Sequence, residues 1–207
     1  MYTKYGCVIK YSSKIDKDVT KYLGVPYAQP PLGAYRFKLL IPLGDKYYGN
    51  NCFDAKQLAK SCLFKRKPVG FAGIDVWIPK ESDMKKKWLQ LNIWVPRKTT
   101  SAVILFIQGT LYTKGSASLP QYRRDVLASK SNAIVVSFNY RPGALGFIQL
   151  LNKTFRPGNV GLLNQQITLK WIYENIGYFG GKKFRVVLFG HDSRTTAVTA
   201  IYFCTGQ

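Results

Sequence analysis

The apolar run Val186–Phe189 leads into Gly190-His191-Asp192-Ser193-Arg194. Three side chains in this stretch can do chemistry. A carboxylate at Asp192 or a hydroxyl at Ser193 can attack an electrophilic carbon, and an imidazole at His191 can move a proton. A nucleophile works from such a place when a strand ends in a sharp turn that presents it at the tip, just before a helix begins. Small residues must flank that tip, because the turn is strained and the helix packs close. Gly190 supplies one flank, whereas Arg194 occupies the other if Asp192 is the tip.

A turn of this kind needs a sheet beneath it. Apolar, β-rich runs fall at Tyr22–Tyr27, Trp88–Val95, Ala102–Ile107, Ala133–Tyr140 and Val186–Phe189. Pro120 followed by Gln121–Ser129 predicts a short helix. Asn159–Phe179 carries Leu163, Ile167 and Trp171 at helical spacing, and Gly180-Gly181 ends that helix. Near-continuously apolar strands separated by helices predict an α/β sheet buried on both faces. With no internal repeat or linker, residues 1–207 read as one domain.

Composition narrows the function classes. An apolar fraction of 46% excludes a disordered chain. No run approaches the length of a membrane span, and the first residues, MYTKYGCVIKYSSK, lack the pattern of a signal peptide. With 31 Lys and Arg against 10 Asp and Glu, the net charge is +21, which fits either a polyanion-binding surface or a solvated basic one. The basic residues are scattered, with short clusters at Lys65-Arg66-Lys67 and Lys85-Lys86-Lys87, and no nucleic-acid-binding motif accompanies them. Cys7, Cys52, Cys62 and Cys204 show no metal-binding spacing, and with one histidine no metal or other cofactor is expected. Their pairing stays open.

Several blocks resemble the type-B carboxylesterase family in the same order. YLGVPYAQPPLGAYRF (22–37) resembles that family's F-L-G-I-P-Y-A-x-P-P-x-G-x-x-R-F segment, and LQLNIWVP (89–96) its L-Y-L-N-I-W-V-P strand. NYRPGALGF (139–147) and GNVGLLNQQITLKWIYENIGYFGG (158–181) match two further blocks, and GFAGIDVWIP (70–79) resembles the cholinesterase loop that carries the choline-binding tryptophan, here Trp77. The resemblance implies the N-terminal part of an α/β-hydrolase fold: a mostly parallel central sheet with flanking helices, ending after the nucleophile elbow. It also implies an extracellular or cell-surface setting.

Family members hydrolyse esters with a Ser-His-Glu triad and a three-amide oxyanion hole. Matching VVLFG to the family strand puts the serine position at Asp192; moving the motif to Ser193 leaves no glycine on either side and flips the strand's faces. The oxyanion loop H-G-G-G-F corresponds to Gln108-Gly109-Thr110-Leu111-Tyr112, with side chains at two glycine positions, Thr110 and Leu111; the third amide is that of Ser193. The family's acid and histidine lie C-terminal to the elbow, beyond this chain, and His191 sits too close to the tip to serve it as a base. Cys62 matches half of the first family disulfide, whose other half is Trp88 here, so the loop carrying Trp77 loses that staple. The glutamate that would pair with Arg36 reads Lys86, and the D-P after the helix-ending glycines reads Lys182-Lys183. Trp77 either holds a quaternary ammonium by cation–π contact or packs as an ordinary aromatic, and the basic charge favours the second. Asn152-Lys153-Thr154 is a glycosylation sequon of a kind expected about once by chance in such a chain.

Three functions follow. The first is a catalytically inactive cholinesterase-like module that binds a protein partner or polyanion. The second is a hydrolase with an aspartate nucleophile, since Gly190-His191-Asp192 resembles the G-H-D of epoxide hydrolases; the missing downstream histidine weighs against it. The third is a truncated fragment or relic without activity, in which Val186–Phe189 forms an exposed apolar sheet edge.

Overall fold

The computed structural model describes residues 1–109, 111–122, 124–149, 158–190 and 193–205, apart from the side chains of 193, 194 and 202–205. Valine, isoleucine and aromatic residues concentrate in the extended segments, as their preference for a pleated, half-buried surface dictates. The strands are β1 (Tyr2–Thr3), β2 (Gly6–Ile9), β3 (Tyr11–Ser12), β4 (Val19–Pro26), β5 (Phe53–Asp54), β6 (Gln90–Pro96), β7 (Val103–Ile107), β8 (Ile134–Phe138) and β9 (Val186–Gly190). The α-helices are α1 (Ala72–Asp75), α2 (Arg124–Ser131), α3 (Gly143–Phe147), α4 (Val160–Asn175) and α5 (Ser193–Thr205).

A six-stranded sheet runs β3-β4-β6-β8-β7-β9. Its first three pairings are antiparallel, and only β8–β7 and β7–β9 are parallel. The expectation of a mostly parallel sheet is therefore corrected for this stretch of chain. The reason lies in the connections. Parallel neighbours need a crossover, which α2 supplies between β7 and β8 and α3–α4 between β8 and β9. No helix longer than four residues lies between β4 and β6, and that pair returns antiparallel.

Helices cover both faces in the manner of an α/β-hydrolase. On one, Ala128 of α2 packs with Val19, Leu23, Trp94 and Val135. On the other, Trp171 and Ile172 of α4 join Tyr22, Val103, Leu105 and Ile134. Strand β8 is buried along its whole length, as expected of a strand covered on both faces. At β9 Val187 is 60% and Phe189 50% exposed, the apolar edge that the sequence allowed for Val186–Phe189. That strand is the edge of the sheet among the described residues; its Val186 and Leu188 pack on the main core, and on the other face the Phe189 ring stacks on Phe106 at 5.0 Å.

Helix α2 begins at Arg124, later than Pro120 suggests, because turn bonds from Tyr122 N to Leu119 O and from Arg124 N to Tyr122 O come first. Helix α4 tightens into a 3₁₀ turn over Ile176–Phe179, and Gly180 ends it at φ +87°. This is the left-handed stop that glycine favours. A second sheet, β1-β2-β5, was not legible in the sequence. Cys7 of β2 and Cys52, beside β5, are joined by a disulfide, a pairing that the sequence left open. Closing a loop of 45 residues in this way stabilises the fold by about 4 kcal/mol in the chain-entropy picture.

Asn92 of β6 is fully buried and makes four hydrogen bonds. Its Oδ1 accepts from Gly24 N and Ala59 N, both at 2.9 Å, while Nδ2 donates to Ala117 O at 3.3 Å and Ser118 Oγ at 3.2 Å. The register of β4 on β6 shifts between Tyr22 and Val25, which frees Gly24 N to reach this side chain. Asn92→Ala strands two buried N–H groups at about 1–3 kcal/mol each. The variant is expected to lose about 2–4 kcal/mol of stability, read as a lower urea midpoint with an unchanged m-value.

Candidate functional site

Strands β7 and β9 run parallel in register, with Ile107 opposite Gly190. The segments that leave them therefore open at the same carboxyl edge of the sheet, where α/β folds place their sites. Strand β9 runs to Gly190, and helix α5 is described from Ser193. His191 and Asp192 themselves lie outside the described residues, as do Thr110 and Asn152. The backbone of Ser193 opens α5, which Ala197 and Ile201 anchor in the interior.

The loop after β7 is the second part of the site. Gln108 is buried and its Nε2 donates to Phe138 O, fixing the loop's first residue to β8. Gly109 sits at φ +133° and Gly115 at φ +142°. A Cβ added at Gly115 would lie 2.4 Å from Gly109 Cα, so the loop folds back on itself. Between them Leu111 has φ +50° and Tyr112 φ +56°, left-handed conformations carried by residues with side chains. Tyr112 is held there: its carbonyl accepts from Gly143 N at 2.6 Å and its ring packs 5.0 Å from Phe147. Leu111 is 66% exposed.

Trp77 follows α1 in a loop closed by Asp75, whose carboxylate accepts from Val69 N at 2.8 Å and Gly70 N at 3.0 Å. Gln121 Nε2 donates to Val76 O, and the Trp77 ring meets Tyr122 edge-on at 5.8 Å. Trp77 is half-exposed, and its neighbour Tyr122 already faces a cation. The Arg124 guanidinium lies 4.7 Å from the Tyr122 ring centre and 5.5 Å from those of Phe106 and Trp94. Arg124 is buried, which pulls its pKa down while leaving it charged at neutral pH.

Cys62 is a free thiol, buried in the main core with Trp88, and burial pushes its pKa up. The loss of a staple is only partial. Ser61 pairs with Met84 through bonds from Ser61 N to Asp83 O at 2.8 Å and from Lys85 N to Ser61 O at 3.1 Å. Its hydroxyl also meets Ser116 Oγ at 2.6 Å. Arg36 and Lys86 are both exposed, so water screens the like-charge pairing expected from the sequence. Lys183 lies against Tyr173 and Phe184 rather than an acid.

Sequence reasoning missed the role of Arg141, although it lies inside the NYRPGALGF block. Arg141 is fully buried; its N and Nε donate to Asn164 Oδ1, and Nη1 donates to the carbonyls of Arg36 and Lys38. Burial lowers its pKa to about 10, so it remains a cation at neutral pH. A Cβ at Gly146 would sit 1.9 Å from Arg141 O and one at Gly161 2.7 Å from it, so α3 and α4 close on this residue only through glycines.

The left-handed backbone at Leu111 costs about 1 kcal/mol relative to glycine, and its exposed side chain returns little packing energy. Leu111→Gly is expected to stabilise the chain by about 1 kcal/mol, seen as a rise in Tm of about 2–4 °C in a thermal melt.

The carboxylesterase family model matches residues 2–205. An acetylcholinesterase of Danio rerio is 40% identical over 185 residues, which cover 87% of this chain and 28% of the relative. A cholinesterase of Mus musculus is 39% identical over 190 residues, 90% of this chain and 31% of the relative. An acetylcholinesterase of Electrophorus electricus is 38% identical over 185 residues, 87% of this chain and 29% of the relative. The chain thus spans about three-tenths of the length of these relatives. A match over almost its whole length, carried by a sheet with strand β9 and helix α5 at its carboxyl edge, means that the chain belongs to the carboxylesterase family.

Proposed function

We propose that this chain is a cholinesterase-like protein that has lost ester hydrolysis and serves as an extracellular or cell-surface binding module. In this reading Asp192 stands at the nucleophile position. Thr110 and Leu111 fill the oxyanion loop, and the amide of Ser193 is the one donor of that hole that needs no glycine. The carrying observation is the match of the β9–α5 unit to the family's elbow. Strand β9 reaches Gly190 and helix α5 is described from Ser193, and this reading assigns the elbow to the two residues between them, His191 and Asp192. Ser193 then belongs to the first helical turn, one residue past the tip.

The chemistry of the neighbouring loop supports the same reading. Oxyanion stabilisation needs N–H groups aimed at one point from a backbone the substrate can approach, and losing one donor costs about 10²–10³ in rate. Side chains at Thr110 and Leu111 crowd that approach. A carboxylate at Asp192 can form an ester intermediate, but its hydrolysis needs a base placed to activate water. The chain's one histidine adjoins the tip itself. The Cys7–Cys52 disulfide fits an oxidising compartment, in keeping with the proposed setting.

Incubating the 207-residue chain with a fluorophosphonate probe is expected to leave Ser193 unlabelled. Hydrolysis of acetylthiocholine and of a nitrophenyl ester is expected to match an Asp192→Asn control. Labelled Ser193, or turnover above that control, overturns the reading. Asp192→Ser is expected to leave turnover at the same background, because a serine alone does not restore the glycines of the oxyanion loop. Mass analysis after exposure to an epoxide is expected to find no adduct on Asp192, and an adduct there would establish the aspartate-nucleophile alternative.

A further inference from the structure

Beside the bulge of β4 lies a groove of about 490 Å³, remote in sequence from the elbow and the oxyanion loop. Four lysines line it: Lys60, and Lys85, Lys86 and Lys87 from the neighbouring segment. The acid in the lining, Asp54, already accepts a hydrogen bond from Tyr11 Oη at 2.6 Å. Lys60 pairs loosely with Asp83 at 3.7 Å, and the ion pairs of the described residues include none of Lys85, Lys86 and Lys87. The lysine-bearing backbone is fixed in advance. Lys60 N donates to Gln90 Oε1 at 2.9 Å, Lys85 N donates to Ser61 O at 3.1 Å, and Asn92 holds Gly24 and Ala59 behind them. Gly24 itself has φ +67°, and a Cβ there would meet Gln57 O at 2.5 Å, so the floor of the groove forms only with glycine.

We propose that this groove binds a segment of a sulfated polysaccharide, with the four ammonium groups taking successive sulfates or carboxylates. The inference rests on reading the chain as a binding module and names the ligand class. Its chemistry separates that class from other polyanions. The lysines are point charges suited to irregularly spaced anions, and the lining holds no arginine fork for base edges or phosphates. The aromatic ring in the lining, Phe53, is spent against Tyr48 at 5.6 Å, which leaves no stacking platform for bases. A concave site engages a single chain better than the flat surface of an acidic bilayer. The disulfide at Cys52, one residue before Phe53, belongs to an oxidising compartment, where sulfated glycans are met and cytosolic nucleic acids are not.

The test is calorimetric titration of the 207-residue chain with a size-defined heparin oligosaccharide at several salt concentrations. The triple variant Lys85→Ala/Lys86→Ala/Lys87→Ala is expected to weaken binding at least about tenfold and to flatten the salt dependence by about two to three ions, as counterion release requires. Replacing the same three by arginine is expected to keep most of the affinity. A control with equal charge loss elsewhere, Lys14→Ala/Lys98→Ala/Lys182→Ala, is expected to change affinity far less. Equal losses in the two alanine triples would mean diffuse adhesion and overturn the site, as would a single-stranded oligonucleotide or phosphatidylserine vesicles binding more tightly through the same three lysines. Unchanged heparin affinity in the Lys85–Lys87 triple would also overturn it. None of these outcomes bears on whether the chain hydrolyses esters, so failure here and failure of the catalytic reading are separable.

Discussion

Much of the architecture depends on one buried amide. Asn92 sits in the middle of the sheet with nothing apolar about its head group, and four partners satisfy it. Those partners come from three otherwise separate pieces of chain: the bulge of β4, the segment at Ala59, and the turn at Ala117 and Ser118. Asn139, just after β8, repeats the device. Its Oδ1 accepts from Ala117 N at 2.8 Å and its Nδ2 donates to Lys60 O at 2.7 Å. Two side-chain amides thus do for the long loops what ladder bonds do for the strands. In a low-dielectric interior such bonds are stronger than in water, and a missing one is correspondingly expensive. That requirement is why the long, mostly irregular stretch between β4 and β6 takes one conformation.

Arg141 poses the opposite problem, a buried cation with no carboxylate among its hydrogen-bond partners in the described residues. Carbonyl oxygens and the Asn164 amide carry its charge instead. Burying a guanidinium on dipoles alone is costly, and the arrangement persists because surrounding groups allow no other. Gly146 and Gly161 bring α3 and α4 into contact with the Arg141 backbone, while its Nη1 reaches back to the segment at Arg36–Lys38. Arg124 uses another solution, three aromatic rings around the guanidinium, on the opposite side of the sheet with α2. Both cations are consistent with a chain in which acids are scarce: polar and aromatic groups do the work that carboxylates often do.

The legibility of the sequence followed the range of the interactions. The five principal strands and helix α4 were readable because apolar content and helical spacing are local properties, and the family blocks fell on them. Gly180 announced the end of α4 for the same reason. The antiparallel half of the sheet was not readable, since strand direction depends on how β4 finds β6 across more than 60 residues. The small sheet closed by Cys7 and Cys52 escaped as well: its strands are two to four residues long, too short for any pattern. At the candidate site, the residue types at Leu111 and Trp77 were plain, but their backbone angles and neighbours were not. Nothing local to Tyr112 foretells that Gly143 and Phe147 hold it.

On the proposed reading, that last contact bears on how a fold outlives its chemistry. A glycine in an oxyanion loop serves two ends at once: it permits a left-handed backbone, and it leaves room for substrate. On the proposed reading Leu111 keeps the first property and gives up the second. It can do so because the loop is over-determined from outside, by Gln108 on Phe138, Gly143 on Tyr112, and the close approach of Gly115 to Gly109. Strain of about 1 kcal/mol per residue is small against those restraints. The backbone therefore tolerates side chains that the proposed ancestral reaction would not, and such substitutions can accumulate once nothing needs the space. The elbow obeys the same logic. The register of β9 on β7 and the burial of Ala197 and Ile201 hold the strand and the helix on either side of the elbow, whatever residues lie between them.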